Sequence, residues 1–87
     1  MRITMKKFGA ILVSRPAGRE AFLAAQAYLL PPSSTEAIEL DFEGVKVLAP
    51  SWADEFITAL KKNYKNPIQI LPTKNSSVIE SLKMLEM

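Results

Sequence analysis

The chain has 87 residues, with 11 Lys and Arg, 9 Asp and Glu and a formal net charge of +2, a length that predicts one compact domain over residues 1–87. It contains neither cysteine nor histidine, which argues against disulfides, thiolate nucleophiles, imidazole metal ligands and Ser-His catalysis, so we expect no enzymatic activity and no cofactor. No apolar stretch is long enough to span a bilayer and no secretory signal is recognisable, so we expect a cytoplasmic location without membrane contact.

The amino-terminal part of the chain predicts strand structure followed by a helix. Residues 2–6 alternate polar and apolar side chains, and residues 10–13 form a short apolar run. Together they predict one interrupted strand or a hairpin. Ser14 then suits the N-cap of a helix that ends near Leu30. The apolar stripe of this helix is wide, which predicts burial on more than one side or contact with a partner.

The middle of the chain predicts a loop and then strand structure. Residues 31–35 predict the loop, because paired prolines cannot continue a helix. Residues 37–42 alternate cleanly, with Glu39 and Asp41 on the polar side, which predicts a strand with one partly exposed face. A glycine then separates this strand from a second apolar stretch at residues 45–48.

The carboxyl-terminal part predicts two more helices with a strand between them. The pattern Ser-Trp-Ala-Asp at residues 51–54 approximates a capping box, so Ser51 is predicted to cap the second helix. Residues 68–71 lie between two prolines and predict a short strand. Ser76 or Ser77 is predicted to cap the last helix.

This order of elements predicts an α/β fold. Strands separated by helices of ten or more residues require crossover connections, which favour a mixed or parallel sheet. We expect a two-layer sandwich with a mixed sheet of about four strands. The polar positions Glu39 and Asp41 predict helices mainly on one face of that sheet, since a sheet covered on both faces reads as continuous apolar runs.

One segment of the chain has a distinctive layout. Residues 39–60 read ELDFEGVKVLAPSWADEFITAL, an alternating strand, a glycine turn, a short apolar run and a helix that Ser51 opens. This layout, with Ser14 and Arg15 before the first helix, resembles the STAS-like domains of the DUF4325 type, relatives of the bacterial anti-sigma-factor antagonists. The resemblance implies a STAS-like fold and a protein-interaction module in signalling regulation, whose partner is an ATP-binding, histidine-kinase-like protein.

The resemblance also implies a regulatory role for Ser51. In the antagonist relatives, a serine at this helix start is a phosphorylation switch, and a phosphate there adds about −2 charge to the docking surface. This chain differs from them, because Trp52 replaces a small glycine and an Ala-Pro pair precedes the serine. Asp54 and Glu55 also bring negative charge to the predicted first turn. We interpret Ser51 as an N-cap on an unphosphorylated binding surface, with the switch as the alternative.

Three further residues belong to the candidate surface. Trp52 has two interpretations, a side chain packed against the helix and sheet, or a half-exposed contact for a partner. Arg15 is interpreted as pairing with an acid such as Asp41 inside the fold. The alternative for Arg15 is a phosphate or carboxylate held at the start of the first helix.

Two catalytic or metal-binding interpretations are less favoured. The carboxylates of Asp41, Glu43, Asp54 and Glu55 suggest a divalent-cation site or acid–base chemistry. Their spacing matches no known ligand loop, and we attribute Asp54 and Glu55 to favourable placement near a helix N-terminus. A nucleophilic role for Ser51 requires a base that the sequence lacks.

The alternative function is that of a small basic nucleic-acid-associated protein. Residues 2–19 hold five basic side chains before the first acid, and such segregation favours an acidic partner. The contact residues would be Arg2, Lys6, Lys7, Lys61, Lys62 and Lys65. No aromatic residues interleave with these charges, so a nucleic-acid partner is not expected. A homodimer is compatible with the sequence.

Overall fold

The structure, a computed structural model, describes residues 1–30 and 35–85. The elements in these ranges follow the order β1 (Arg2–Thr4), β2 (Ile11–Leu12), α1 (Arg15–Tyr28), β3 (Ile38–Asp41), β4 (Val47–Leu48), α2 (Pro50–Asn63), β5 (Ile68–Ile70) and α3 (Ser76–Met84). A short 3₁₀ turn, Met5–Phe8, follows β1. The loop predicted over residues 31–35 lies outside the described residues except for Thr35.

All of the strand pairings in the described residues are parallel. β3 lies between β1 and β5 in one sheet, and β2 pairs with β4 in a second, smaller sheet. The predicted two-layer α/β architecture is confirmed. The prediction of one mixed sheet with about four strands is corrected, since residues 1–30 and 35–85 form five strands in two parallel sheets. The strand structure is interrupted between β1 and β2 and again between β3 and β4, which divides the sheet in two.

Two glycines accompany these interruptions. Gly9 follows the 3₁₀ turn with a φ of 130°, and Gly44 lies between β3 and β4 with a φ of 87°. Glycine adopts such positive φ angles without the steric cost that a Cβ adds. β1 and β2 pair with different partners rather than with each other. Residues 2–12 therefore form the interrupted strand, and the hairpin alternative is wrong.

The helices cover one face of the three-stranded sheet. Alternation along the strands buries Ile3, Ile38 and Leu40. The opposite face carries the polar side chains of Arg2, Thr4, Glu39, Asp41 and Gln69, which are exposed or partly buried. The prediction that helices lie mainly on one face is confirmed, because a polar face of this kind remains in contact with water.

Side chains cap the N-termini of the first and last helices. The Ser14 Oγ accepts a hydrogen bond from the Ala17 N–H at 3.3 Å, as predicted for α1. The prediction for α3 is wrong, because Asn75 precedes Ser76 and takes the N-cap position. The Asn75 Oδ1 accepts from the Ser77 N–H at 2.8 Å. An asparagine at this position satisfies helix-start N–H groups that a serine would otherwise bind.

The start of α3 also covers the outer edge of β4. The Asn75 Nδ2 donates to the Val45 C=O at 2.8 Å, and the Leu48 N–H donates to the Ser77 Oγ at 3.0 Å. The Ser81 hydroxyl, which is buried, donates to the Leu48 C=O. These side chains satisfy strand groups that would otherwise form an open edge.

α1 packs against α2 along one side only. Its buried residues are Gly18, Ala21, Phe22 and Ala25, while Leu23 is half exposed. Burial on more than one side is therefore wrong, and α1 ends at Tyr28, slightly before the predicted end. A Cβ placed on Gly18 would lie 2.6 Å from the Trp52 C=O. The two helix backbones therefore approach more closely than any side chain at this position allows.

We expect Gly18→Ala to destabilise the fold by about 1–3 kcal/mol, because the new methyl group meets backbone that cannot move aside. Helix propensity alone predicts the opposite sign, a gain of about 0.5–1 kcal/mol. Urea unfolding followed by circular dichroism measures the change. Ala24→Gly, at an exposed position of the same helix, is the matched control and should lose about 0.5–1 kcal/mol. If Gly18→Ala raised the urea concentration at the unfolding midpoint, the close approach of α1 and α2 at Gly18 would be contradicted.

Candidate binding surface

The candidate site lies where the two strands of the smaller sheet lead into helices. β2 and β4 are parallel neighbours, so α1 and α2 begin at the same edge of that sheet. The Ala49 N–H donates to the Leu12 C=O at 2.8 Å, which extends the pairing up to the residue before α2. Parallel pairing thus places two helix starts side by side, although they are far apart in the sequence.

Ser51 lies inside the first turn of α2 and does not cap it. The helix begins at Pro50, the N-cap residue is Ala49, and no side chain caps the N-terminus. Proline suits the first helical position because it lacks the N–H that would be unpaired there. The predicted capping box is therefore wrong. Asp54 and Glu55 also lie beyond the first turn, so helix-dipole stabilisation does not account for them.

Trp52 packs inside the protein. Its side chain is only 2% exposed, and its ring stacks on that of Phe56, with a centroid distance of 5.2 Å and an interplanar angle of 10°. The ring of Phe8 lies 6.2 Å away on another side. The interpretation of a half-exposed contact residue is wrong. Trp52 instead holds α2 against the 3₁₀ turn, and any effect on a partner is through this packing.

Arg15 joins the starts of the two helices. Its Nη1 lies 2.6 Å from the Asp54 Oδ2 and 3.8 Å from the Glu55 Oε1. The Thr58 Oγ1 donates to the other Asp54 oxygen at 2.9 Å. The hydrogen bond from Arg15, with a smaller contribution from Thr58, lowers the pKa of Asp54 below its ordinary value of 3.8. Arg15 therefore pairs with an acid, but the pair lies at the surface rather than inside the fold.

Asp41 lies apart from this group. Its Oδ1 accepts from the Glu43 N–H at 3.0 Å in the turn after β3, so the acid that Arg15 binds is Asp54 rather than Asp41. Within residues 1–30 and 35–85, no three carboxylates come close enough to hold a metal ion. The hypothesis of a cation site at Asp41, Glu43, Asp54 and Glu55 is therefore not supported.

The smaller sheet presents an apolar surface that the sequence did not predict. Ile11, Val13 and Val47 are 63%, 43% and 41% exposed, and Ile11 lies directly opposite Val47 in the parallel register. Leu12 and Leu48 point the other way and are buried. We call Ile11, Val13 and Val47 the apolar face. Periodicity could not identify it, because both sides of β2 and β4 carry apolar residues.

The basic residues of the nucleic-acid alternative lie at two places. Lys6 and Lys7 follow the carboxyl end of β1. Arg2 begins β1, so it lies at the same end of the sheet as Lys61, Lys62 and Lys65, which precede the amino end of β5. In a parallel sheet these two ends lie at opposite edges. The structure therefore separates the two groups, which does not favour a continuous nucleic-acid surface.

Comparisons with known proteins give one match. The family model described as a STAS-like domain of unknown function (DUF4325) matches residues 28–79, more than half of the chain. This span includes β3, β4, α2 and β5, and therefore Val47, Ser51 and Asp54, whereas Ile11, Val13 and Arg15 lie outside it. The searches of curated proteins and of solved structures returned no match. None of the helices in the described ranges is long and apolar enough to cross a membrane.

We expect the bond between Arg15 and Asp54 to contribute to stability in a pH-dependent way. The folded-state pKa of Asp54 lies below its ordinary value, so this contribution is complete above the ordinary pKa and is lost as the pH falls through the folded-state pKa. Arg15→Met should therefore flatten the acid limb of stability measured by urea unfolding from about pH 6 to about pH 2.

Arg19→Met, which removes the same charge from the same helix, is the control for this titration and should keep the acid limb of the wild type. If Arg15→Met and Arg19→Met changed the acid limb equally, general charge reduction rather than the bond to Asp54 would be the cause.

We expect Trp52→Ala to destabilise the fold by about 3–5 kcal/mol, since it removes a buried aromatic side chain from the core. This is a large part of the roughly 5–15 kcal/mol that stabilises a typical domain. Circular dichroism in urea measures the loss. Tyr28→Ala removes an aromatic ring that is 87% exposed and should change stability by less than about 0.5 kcal/mol. Equal effects of the two substitutions would contradict the packing described for Trp52.

Proposed function

Since the chain belongs to the family of STAS-like domains of unknown function (DUF4325), we propose that it is a non-enzymatic, regulatory protein-interaction module. Its partner is an ATP-binding, histidine-kinase-like protein, the class that the likeness to the anti-sigma-factor antagonists suggests. The partner binds the apolar face together with the adjoining start of α2 at Ser51. The module works in the cytoplasm.

The apolar face is the observation that carries this proposal. Three β-branched side chains are exposed here. Ile11 and Val47 lie opposite each other on adjacent strands, and Val13 directly follows β2. Exposed apolar patches with polar surroundings mark interaction sites on small domains. A partner that covers these side chains would gain the free energy of removing them from water.

Polar residues surround the apolar face, as in a typical protein–protein interface. Lys46 precedes Val47 and is exposed, as is Ser14 beyond Val13. Ser51 is partly buried and lies three residues after the end of β4. The apolar centre would supply affinity, while this rim would supply orientation and specificity.

The buried residues near the site support the surface from within. Trp52 stacks on Phe56 under the start of α2, and Arg15 ties that helix to the start of α1 through Asp54. A surface held by packing and ion pairing needs little rearrangement to bind, which lowers the entropic cost of association. We therefore assign Trp52, Arg15 and Asp54 a positioning role rather than direct contact with the partner.

The phosphorylation switch at Ser51 remains the alternative form of regulation. The bond to Arg15 offsets the negative charge of Asp54, so repulsion from that acid opposes a phosphate less than the sequence suggested. Ser51→Glu mimics part of this charge. It should weaken partner binding if the start of α2 belongs to the interface.

We expect the double variant Ile11→Thr, Val47→Thr to bind its partner at least about tenfold more weakly than the wild type, because it removes the apolar centre of the interface. Threonine keeps the β-branched shape that suits a strand, and circular dichroism checks the fold. The measurement is affinity capture from native lysate with mass spectrometry, followed by calorimetric titration of the captured ATP-binding protein. Tyr28→Ser, at an exposed aromatic residue outside this face, is the matched control.

Equal capture of the same partner by wild type, the double variant and Ser51→Glu would show that the proposed surface is wrong. Capture of nucleic acid alone, with affinity that falls steeply as salt increases, would favour the nucleic-acid function instead.

A further inference from the structure

A second region of the surface, separate from the apolar face, has the features of a strand-binding site. β5 is an outer strand of the three-stranded sheet, with β3 on its inner side. The Pro67 C=O accepts from the Ile38 N–H at 2.8 Å, and the Leu71 N–H donates to the Leu40 C=O at 3.0 Å. Backbone groups alternate in direction along a strand. The N–H and C=O groups of Ile68 and Ile70 therefore face the outer edge, which we call the open edge because no strand of residues 1–30 or 35–85 pairs with it.

An apolar groove runs beside this open edge. It has a volume of about 520 Å³, within the range of roughly 300–1,000 Å³ that binding clefts show. Its lining comes from β5, the segment that follows it and α3, and comprises Ile68, Ile70, Leu71, Pro72, Thr73, Ile79, Leu82 and Lys83. A strand added to the edge of β5 would point every second side chain toward this groove.

Lysines lie beside the groove. A second depression shares Ile68 with the groove and is lined by Lys61, Tyr64, Lys65 and Asn66 as well. Among the residues that the structure describes, the linings of the two depressions include three lysines and no aspartate or glutamate. Lys61, Lys65 and Lys83 are all exposed. A segment with acidic residues at the end that meets Lys61 and Lys65 therefore has complementary charge.

We propose that the open edge of β5 binds an extended, acidic segment of a partner protein by strand addition. The segment pairs its backbone with Ile68 and Ile70, places alternate apolar side chains in the groove over α3, and places its acidic residues beside Lys61 and Lys65. This mode of recognition draws affinity from main-chain hydrogen bonds and specificity from the side-chain pockets. It uses residues distinct from the apolar face and does not depend on the proposed kinase-like partner.

A second copy of this chain is a poorer occupant of the same edge. Two-fold pairing of β5 with itself would bring the lysines of both copies to the same interface. An excess of positive charge on both sides of one interface opposes binding. Pro67 and Pro72 also limit the length of strand available for pairing, since proline has no N–H to donate. A short acidic peptide brings no further lysines or prolines, so it meets only the limit that Pro67 and Pro72 set on β5.

Nuclear magnetic resonance of the ¹⁵N-labelled full chain tests the proposal. The probe is a pool of peptides of about ten residues in which Val or Ile alternates with Thr, ending in a run of Asp and Glu. A matched pool ends in Lys instead. We expect the acidic pool to slow amide exchange of Ile68 and Ile70 by about tenfold or more, because their N–H groups enter new hydrogen bonds. The Lys-ended pool should have little effect.

The double variant Lys61→Glu, Lys65→Glu should reverse this preference. We expect it to bind the acidic pool about fivefold to tenfold more weakly than the wild type, with a gain for the Lys-ended pool. Lys6→Glu, Lys7→Glu makes the same change in charge at the other end of the sheet and should retain the wild-type preference.

Three results would overturn the proposal. The first is unchanged exchange at Ile68 and Ile70 with the acidic pool. The second is equal binding of both pools by the wild type. The third is protection of the same two amides in the free protein that grows with protein concentration, which would identify a second copy as the occupant.

Discussion

The close crossing of α1 and α2 is the constraint on which the rest of this fold depends. At Gly18 the two backbones approach so closely that a Cβ would meet the Trp52 carbonyl group. This approach lets Trp52 and Phe56 fill the space between the helices and the sheet. Both helices can then begin at the carboxyl ends of β2 and β4. A wider crossing would leave a gap in the core, and small domains have little stability to spare for cavities.

The parallel pairing of β2 and β4 brings the starts of α1 and α2 together at the protein surface. α1 and α2 both begin at the carboxyl ends of β2 and β4. The ion pair between Arg15 and Asp54 joins the two helices at the surface. The apolar face lies on the same pair of strands, so core packing below and ion pairing beside it hold it in position. A surface held in this way is consistent with the proposed interaction module, because little rearrangement is needed on binding.

The outer edges of β5 and β4 differ in what their backbone groups contact. Side chains from the start of α3, among them Asn75 and Ser77, bind the β4 edge. The edge of β5 has an apolar groove and lysines beside it instead. Open edges are a liability for a small protein unless they are protected or used. The contrast between the two edges is the reason to assign β5 a partner of its own.

The sequence by itself determined the order of elements, the α/β class, the cap at Ser14 and the polar face marked by Glu39 and Asp41, because periodicity and capping are local properties. The STAS-like family also followed from residues 39–60. Only the tertiary structure decided that Trp52 is buried and that Arg15 binds Asp54 rather than Asp41. Those outcomes depend on how α1 and α2 cross, and a contact between residues distant in sequence leaves no periodic signal in a single chain.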